Sequence, residues 1–205
     1  MSRLKRISLL IIFTLIFGII AFFHESRLGK WIDNEVYEFI YASESFITTS
    51  IMLGATKLGE VWAMVCLSLI LIAYLMLKRL RIETLFFVIV MSLSSILNPV
   101  LKNIFDRERP TLLRLIDITG FSFPSGHAMG STSYFGSIIY ILNRTDSGLS
   151  KGVLIGLAAS LILMVSTSRV YLGVHYPTDI IAGIIGGAFS IVLSTLILNN
   201  KLQST

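Results

Sequence analysis

Six uncharged apolar runs decide what this chain can become. They lie at about Ile7–Phe23, Val61–Leu77, Thr84–Leu101, Ala128–Leu142, Gly152–Thr167 and Ile180–Leu198, and none holds an Asp, Glu, Lys or Arg. With their flanks they approach the ~20 residues a helix needs to cross the hydrocarbon core of a bilayer. The 205 residues are 54% hydrophobic and 14% charged, too little polar surface to clothe a soluble domain of that size. The runs predict an all-α integral membrane protein, a bundle of six transmembrane helices in a single domain over residues 1–205. The fourth run, rich in Ser, Gly and Tyr, fails a strict hydropathy cut. Such a polar, small-residue helix is better placed inside a bundle than against lipid.

The first run follows S-R-L-K-R and so looks like a signal peptide. A-F-F-H-E-S comes next, without a small-x-small cleavage pattern, which suits an uncleaved anchor. With the N-terminus inside, inner segments carry nine Lys or Arg and outer segments eight, so the raw count decides little. Clustering says more: R-L-K-R at 3–6 and K-R-L-R at 78–81 both abut a run, which predicts both termini in the cytoplasm. Residues 24–60 form the one long connection. Within it Ile32, Val36, Phe39 and Ile40 share a helical face, away from Asp33, Glu35 and Glu38. That pattern fits a short helix in the membrane interface, with Trp31 and Tyr37 at headgroup depth, and equally a short helix packed over the bundle. The basic residues behind the net charge of +5 are dispersed around apolar runs, which excludes a nucleic-acid partner. A lone Cys66 excludes an internal disulfide and a cysteine zinc site. No internal repeat supports an inverted-repeat transporter.

With six spans, three polar patches fall on one face of the membrane. The first is K-N-I-F-D-R-E-R-P at 102–110. If helical, Lys102 and Arg109 stand about two turns apart and point the same way, with Pro110 ending the helix. Taken alone, this patch reads more plainly as snorkelling or loop charges, with Asp106 and Glu108 as partners. The second is F-P-S-G-H at 123–127, where Ser125 is placed as a helix N-cap and Gly126 allows close backbone approach. The free N–H groups of that first turn would face an anion, with His127 at the rim. Taken alone, it is just as well an ordinary helix start with an interfacial histidine. The third is S-R-V-Y-L-G-V-H-Y-P-T-D at 168–179. A histidine accepts a phosphoryl group only when one ring nitrogen is free and the other is held. His175 and Asp179 are four apart, so a turn of helix brings the carboxylate to Nδ1–H, while Arg169 offers a two-point grip on phosphate oxygens. The plain reading is an interfacial loop with Asp179 capping a helix. Three cations gathered at the membrane edge call for something negative among them.

These patches resemble the three-part signature of the type 2 phosphatidic acid phosphatase superfamily: K-x6-R-P (Lys102 to Pro110), P-S-G-H (Pro124 to His127) and S-R-x5-H-x3-D (Ser168 to Asp179). The same signature occurs in soluble vanadium haloperoxidases, and the spans here favour the membrane phosphatase branch. The resemblance implies that His175 attacks phosphorus, Asp179 orients it, and His127 protonates the leaving oxygen. Lys102, Arg109 and Arg169, with Ser125 and Gly126 nearby, would hold the phosphate; the role of Ser168 is open. It also implies chemistry without a metal or other cofactor and a lipid phosphate substrate among membrane lipids; with both termini in the cytoplasm and six spans, the site is expected on the extracytoplasmic face. Phe121, Phe123, Tyr171 and Tyr176 flank the motifs and are candidates for an acyl path. Arg107, Arg114 and Asp117 either tune headgroup choice or are ordinary loop charges. His24 lies outside every motif. The alternative is a lipid transporter or flippase that binds the headgroup without cutting it, but a pure binding site needs cations rather than an oriented imidazole.

Overall fold

The computed structural model describes residues 2–111, 114–145, 148 and 150–198. Among them there are eight α-helices and no strand: α1 Arg3–Phe23, α2 Arg27–Tyr41, α3 Phe46–Leu58, α4 Val61–Leu77, α5 Arg81–Phe105, α6 Gly126–Thr145, α7 Lys151–Tyr171 and α8 Pro177–Ile197. The all-helical class is as expected, and each apolar run falls on one helix (α1, α4, α5, α6, α7, α8), the last ending at the C-cap Leu198. The count of six spans is not reached on length and hydropathy. α1, α5, α7 and α8 are long and apolar enough to cross, and α3 with α4, bent by 58°, makes a fifth if the pair is one span.

α6 misses the apolar criterion because it sits at the centre, packed against α8, α7 and α5. Its buried residues include Ser131, Thr132, Ser133 and Ser137. Ser131 and Ser137 donate to the carbonyls of Ala128 (3.2 Å) and Ser133 (2.6 Å), returning their hydroxyls to the helix's own backbone. On the facing helix α8, a Cβ on Gly187 would stand 2.7 Å from the Thr132 Cβ and 2.8 Å from the Met129 carbonyl. Small residues therefore let the two backbones meet, as expected where lipid gives no hydrophobic drive for helix association. The apolar core lies nearer the other end, around Phe86, Phe87 and Val90 of α5, Leu75 of α4, and Tyr134 and Phe135 of α6.

α1 turns Ile11, Leu15, Ile19 and Phe22 outward, as a lipid-facing helix does. It runs antiparallel to α8: Arg6 donates to the Thr195 carbonyl (3.0 Å) at one end, and Phe17 packs on Phe105 and Phe123 towards the other. The starting end of α1 and the finishing end of α8 therefore lie together.

The 24–60 connection holds two helices rather than one. α2 lies over α7 and α8, with Ile32, Val36 and Phe39 exposed as an interfacial helix requires. Asp33, expected on the polar outer side, is instead buried at 1% exposure, because a cation meets it there. α3 carries no clear periodicity and went unforeseen. Its C-cap Gly59 is where the chain bends into α4. A Cβ at Gly59 would lie 2.5 Å from His127 Cδ2 and 2.7 Å from Val165 Cγ1, so only glycine lets the bend approach so closely.

Candidate active site

α5 stops earlier than the proline implies. Asp106 adopts a left-handed conformation (φ 36°) as the C-cap, so Lys102 is helical and Arg109 is not. The two cations converge by different routes. The Lys102 ammonium donates to the carbonyls of Phe121 and Ser122. The Arg109 guanidinium folds back to donate to the carbonyls of Gly120 (Nε, 2.8 Å) and Val174 (Nη1, 2.8 Å), and Nη1 lies 3.1 Å from His175 Nε2. Burial lowers the pKa of Arg109, with the Asp179 charge opposing the shift.

His175 lies in the short connection between α7 and α8 and is 2% exposed. Its Nδ1 is 3.3 Å from Asp179 Oδ2 and 3.2 Å from Ser122 Oγ, while Ser122 donates to the same carboxylate oxygen at 2.5 Å. A carboxylate only accepts, so Nδ1 carries the proton and Nε2 keeps its lone pair. Burial lowers the pKa of His175 to about 4, against the pull of Asp179 in the other direction, which leaves the ring neutral near pH 7. Asp179 is held from all sides at position N3 of α8. Its Oδ2 also accepts from the Tyr176 amide (2.9 Å) and its Oδ1 from Arg107 Nη1 (2.6 Å).

Arg107 is the residue that reading along the chain undervalued. It is 5% exposed. Besides Asp179 it donates to Thr178 Oγ1 (2.8 Å) and to Asp33 Oδ2 (2.8 Å), and its guanidinium lies 3.9 Å from the centre of the Tyr176 ring. Asp33 in turn accepts from the Thr178 amide and hydroxyl (both 2.9 Å), capping α8 from outside. The carboxyl pKa of Asp33 is raised, chiefly by burial, with Arg107 opposing. The signal was R-x-R-P together with an acid on the amphipathic helix, but nothing local says that the two meet.

A cavity of about 800 Å³ is lined by Lys102, Arg109, Arg169, His127, His175 and Gly126 at one end. From there it runs along Met64, Val65, Ser68 and Leu69 of α4 and the Met91–Pro99 stretch of α5. Val65, Leu69 and Ile96, which line it, are all more than half exposed, so the cavity is open along its side between α4 and α5 rather than closed. Arg169 is 2% exposed and donates to Thr56 Oγ1 of α3, with Nε unpartnered among the described residues. His127 Nε2 is likewise buried and unpartnered.

Ser125 takes the N-cap place expected of it: it is fully buried, and its hydroxyl accepts from the Ala128 amide (3.4 Å) and does not line the cavity. The aromatics do not line the cavity either. Phe123 and Tyr171 are wholly buried, Tyr176 lies under Arg107, and Phe121 faces a separate surface depression. Arg114 bonds to the Pro110 and Arg109 carbonyls, and Asp117 is exposed. His24 is not idle: it stacks on Phe123 (4.9 Å, 13°), which leads into P-S-G-H. Among the described residues no group of three or more His, Cys, Asp or Glu is gathered to hold a metal.

A neutral, oriented imidazole faces three cations, in a cavity that opens to the apolar flank of a helical bundle. Together these groups can hold an anion and present a nucleophile to it. The comparisons make the class specific. The PAP2 superfamily model matches residues 83–203, and the chain belongs to that superfamily. It is 35% identical over 135 residues to phosphatidylglycerophosphatase B of Bacillus subtilis, covering 65% of this chain and 66% of the relative, just under two thirds of its length. It is 26% identical over 166 residues to an undecaprenyl-diphosphatase of Sulfolobus acidocaldarius (80% and 77% covered). The crystal structure of a transmembrane PAP2 type phosphatidylglycerolphosphate phosphatase from Bacillus subtilis superposes with a TM-score of 0.84 at 28% identity (94% and 96% covered). Aquifex aeolicus LpxE shares the fold, with a TM-score of 0.65 at 19% identity (78% and 92% covered). The relatives are membrane lipid phosphatases, and this chain, with its several apolar helices, is a multi-pass membrane protein.

Proposed function

We propose that the chain hydrolyses the phosphomonoester or diphosphate headgroup of a membrane lipid through a phosphohistidine. The substrate classes are phosphatidylglycerol phosphate, phosphatidic acid and undecaprenyl diphosphate. The observation that carries this reading is the His175 ring, held at Nδ1 by Asp179 and turned at Nε2 towards Arg109 in the shared cavity. In the first step Nε2 bonds to phosphorus as the P–O bond to the lipid breaks, and His127 gives its proton to the departing oxygen. In the second, water attacks the phosphohistidine, His127 takes a proton from it, and inorganic phosphate leaves. Lys102, Arg109 and Arg169 hold the non-bridging oxygens as charge builds on them, and the amide groups at the start of α6, beside Gly126, face the same anion. Because the three cations are fixed beforehand, stabilising the transition state needs no rearrangement at the moment of reaction.

The lateral opening supports a lipid over a soluble phosphate ester. From Lys102 back to Met91, α5 supplies a wall of about 16 Å along which a tail can lie beside the headgroup site. In this reading α6 is the sixth crossing, hidden inside the bundle, and α3–α4 is one broken span. Both termini lie in the cytoplasm and the site on the opposite face. The meeting of the α1 start with the α8 end, remote from His175, supports that arrangement.

The test is phosphate release by the full chain in detergent with EDTA present, over the three lipid classes. Release is expected from at least one of them without added metal. His175→Ala should abolish it and Asp179→Asn should cut it severely. A fully active His175→Ala variant rules out the nucleophile, and headgroup binding without release by the parent protein favours the transporter alternative.

A further inference from the structure

One turn of α5 inward from Lys102, the cavity wall changes character without becoming apolar. Asn98 stands there, with Ser94 and Ser95 on the same helix and Ser68 across the cavity on α4. The Asn98 amide nitrogen donates to the Pro124 carbonyl (3.2 Å) and sits 3.7 Å from Met129 Sδ. Pro124 offers only an acceptor there, so the nitrogen must face it and Oδ1 must face the other way, beside Gly126. Among the described residues Oδ1 accepts no hydrogen bond, and the hydroxyls of Ser68, Ser94 and Ser95 have no partner. Ser94 is only 4% exposed. Elsewhere in the bundle, Ser131, Ser137, Ser190 and Ser194 return their hydroxyls to carbonyls of their own helices, while Thr132, Ser133 and Ser166 are buried without a partner; the Asn98 cluster differs in lining the cavity, where a ligand can reach it. Polar groups left unsatisfied at membrane depth are unfavourable unless something in the cavity meets them.

We infer that Asn98, with Ser95, Ser94 and Ser68, forms a subsite for a hydroxyl group carried by the substrate just beyond its reacting phosphate. This inference rests on the phosphatase reading of the same cavity. The chemistry of the subsite selects its occupant. Asn98 Oδ1 can only accept, so what faces it must donate, and the serine hydroxyls beside it both donate and accept. An alcohol satisfies all of them. A second phosphate or an ester carbonyl brings only acceptors and would set its oxygen against Oδ1. The distance suits a short linker, since one helical turn from Lys102 to Asn98 is about 6 Å along the axis. The subsite therefore favours a phosphomonoester on a glycerol-type headgroup over a diphosphate or a phosphate joined directly to diacylglycerol. Asn98 is a specificity residue here; its tether to Pro124 also positions the turn that leads into His127.

The experiment compares kcat/KM of the full chain in detergent on three short-chain probes. These are phosphatidylglycerol phosphate, its analogue lacking the free headgroup hydroxyl, and phosphatidic acid. The parent protein should prefer the hydroxylated probe to its deoxy analogue by roughly 3- to 10-fold, the worth of one hydrogen bond to a neutral group. Asn98→Leu should bring that ratio close to one, and Ser95→Ala, which leaves the Pro124 tether alone, should narrow it. Loss of the tether slows every probe alike and leaves the ratio untouched, so the ratio separates recognition from a structural role. A parent ratio within twofold, with phosphate released from all probes, overturns the subsite while leaving the phosphatase reading intact. So does an Asn98→Leu variant that is slower on all probes at an unchanged ratio. Failure to release phosphate from any probe removes the phosphatase reading, and this one with it.

Discussion

Replacing Arg107 with glutamine tests whether the buried charge network behind the dyad holds it together. The guanidinium lies 2.6 Å from Asp179 Oδ1 and 2.8 Å from Asp33 Oδ2, with both carboxylates at 1% exposure or less. Removing one partner of a buried pair costs about 3–5 kcal/mol, because the charge left behind has lost its water as well as its mate. Here two carboxylates are stranded on facing elements, while the glutamine amide can still donate to only one of them well. The contact with Tyr176 adds about 0.5–2 kcal/mol to the loss. For a chain of this length the sum corresponds to an unfolding midpoint lower by on the order of 10 °C. The assay is thermal unfolding in one detergent of the parent, Arg107→Gln, Asp33→Asn and the double variant. The double variant should regain at least half of what Arg107→Gln loses, since it neutralises one stranded charge, and the cycle gives the coupling directly. Equal midpoints for the parent and Arg107→Gln, or additive losses in the double variant, would refute the reasoning.

Three further outcomes follow from the geometry. The acid limb of kcat/KM should centre near pH 4: His175 attacks only when neutral, its pKa is lowered to about 4 by burial, and protonation removes the nucleophile as pH falls through that value. A limb near 6.5, the ordinary histidine value, contradicts this. Gly59→Ala should lower kcat at least tenfold, because the new methyl group would stand 2.5 Å from the His127 ring and one of the two must move; initial rates on any accepted lipid phosphate check it. Leu69→Trp should raise KM for long-chain lipid phosphates and spare short-chain ones, since Leu69 lines the groove away from the cations; a uniform loss across chain lengths contradicts the tail path.

The helices were legible because a spanning segment must satisfy its backbone internally and stay apolar, a constraint written residue by residue. Even the polar α6 could be placed inside the bundle from its small side chains. The pairing of His175 with Asp179 was legible because both partners sit within one turn of sequence. Where reading failed, the cause was long-range pairing. Asp33 looks like part of a solvated face until Arg107, 74 residues away, arrives to neutralise it. Lys102 and Arg109 seemed to share a helix, yet Asp106 ends that helix and the arginine returns through the loop. The local cap of α6 by Ser125, by contrast, was legible, since its partner Ala128 lies three residues on. α3 and the bend at Gly59 gave no periodic signal, because their logic lies in the His127 ring they press against.

The side entrance between α4 and α5 has a kinetic corollary. A molecule arriving through it never leaves the leaflet, so the search for the catalyst takes place in two dimensions. Turnover then responds to the mole fraction of substrate in the surface rather than to its bulk molarity. Adding inert lipid or detergent at constant total substrate should slow the reaction by surface dilution alone.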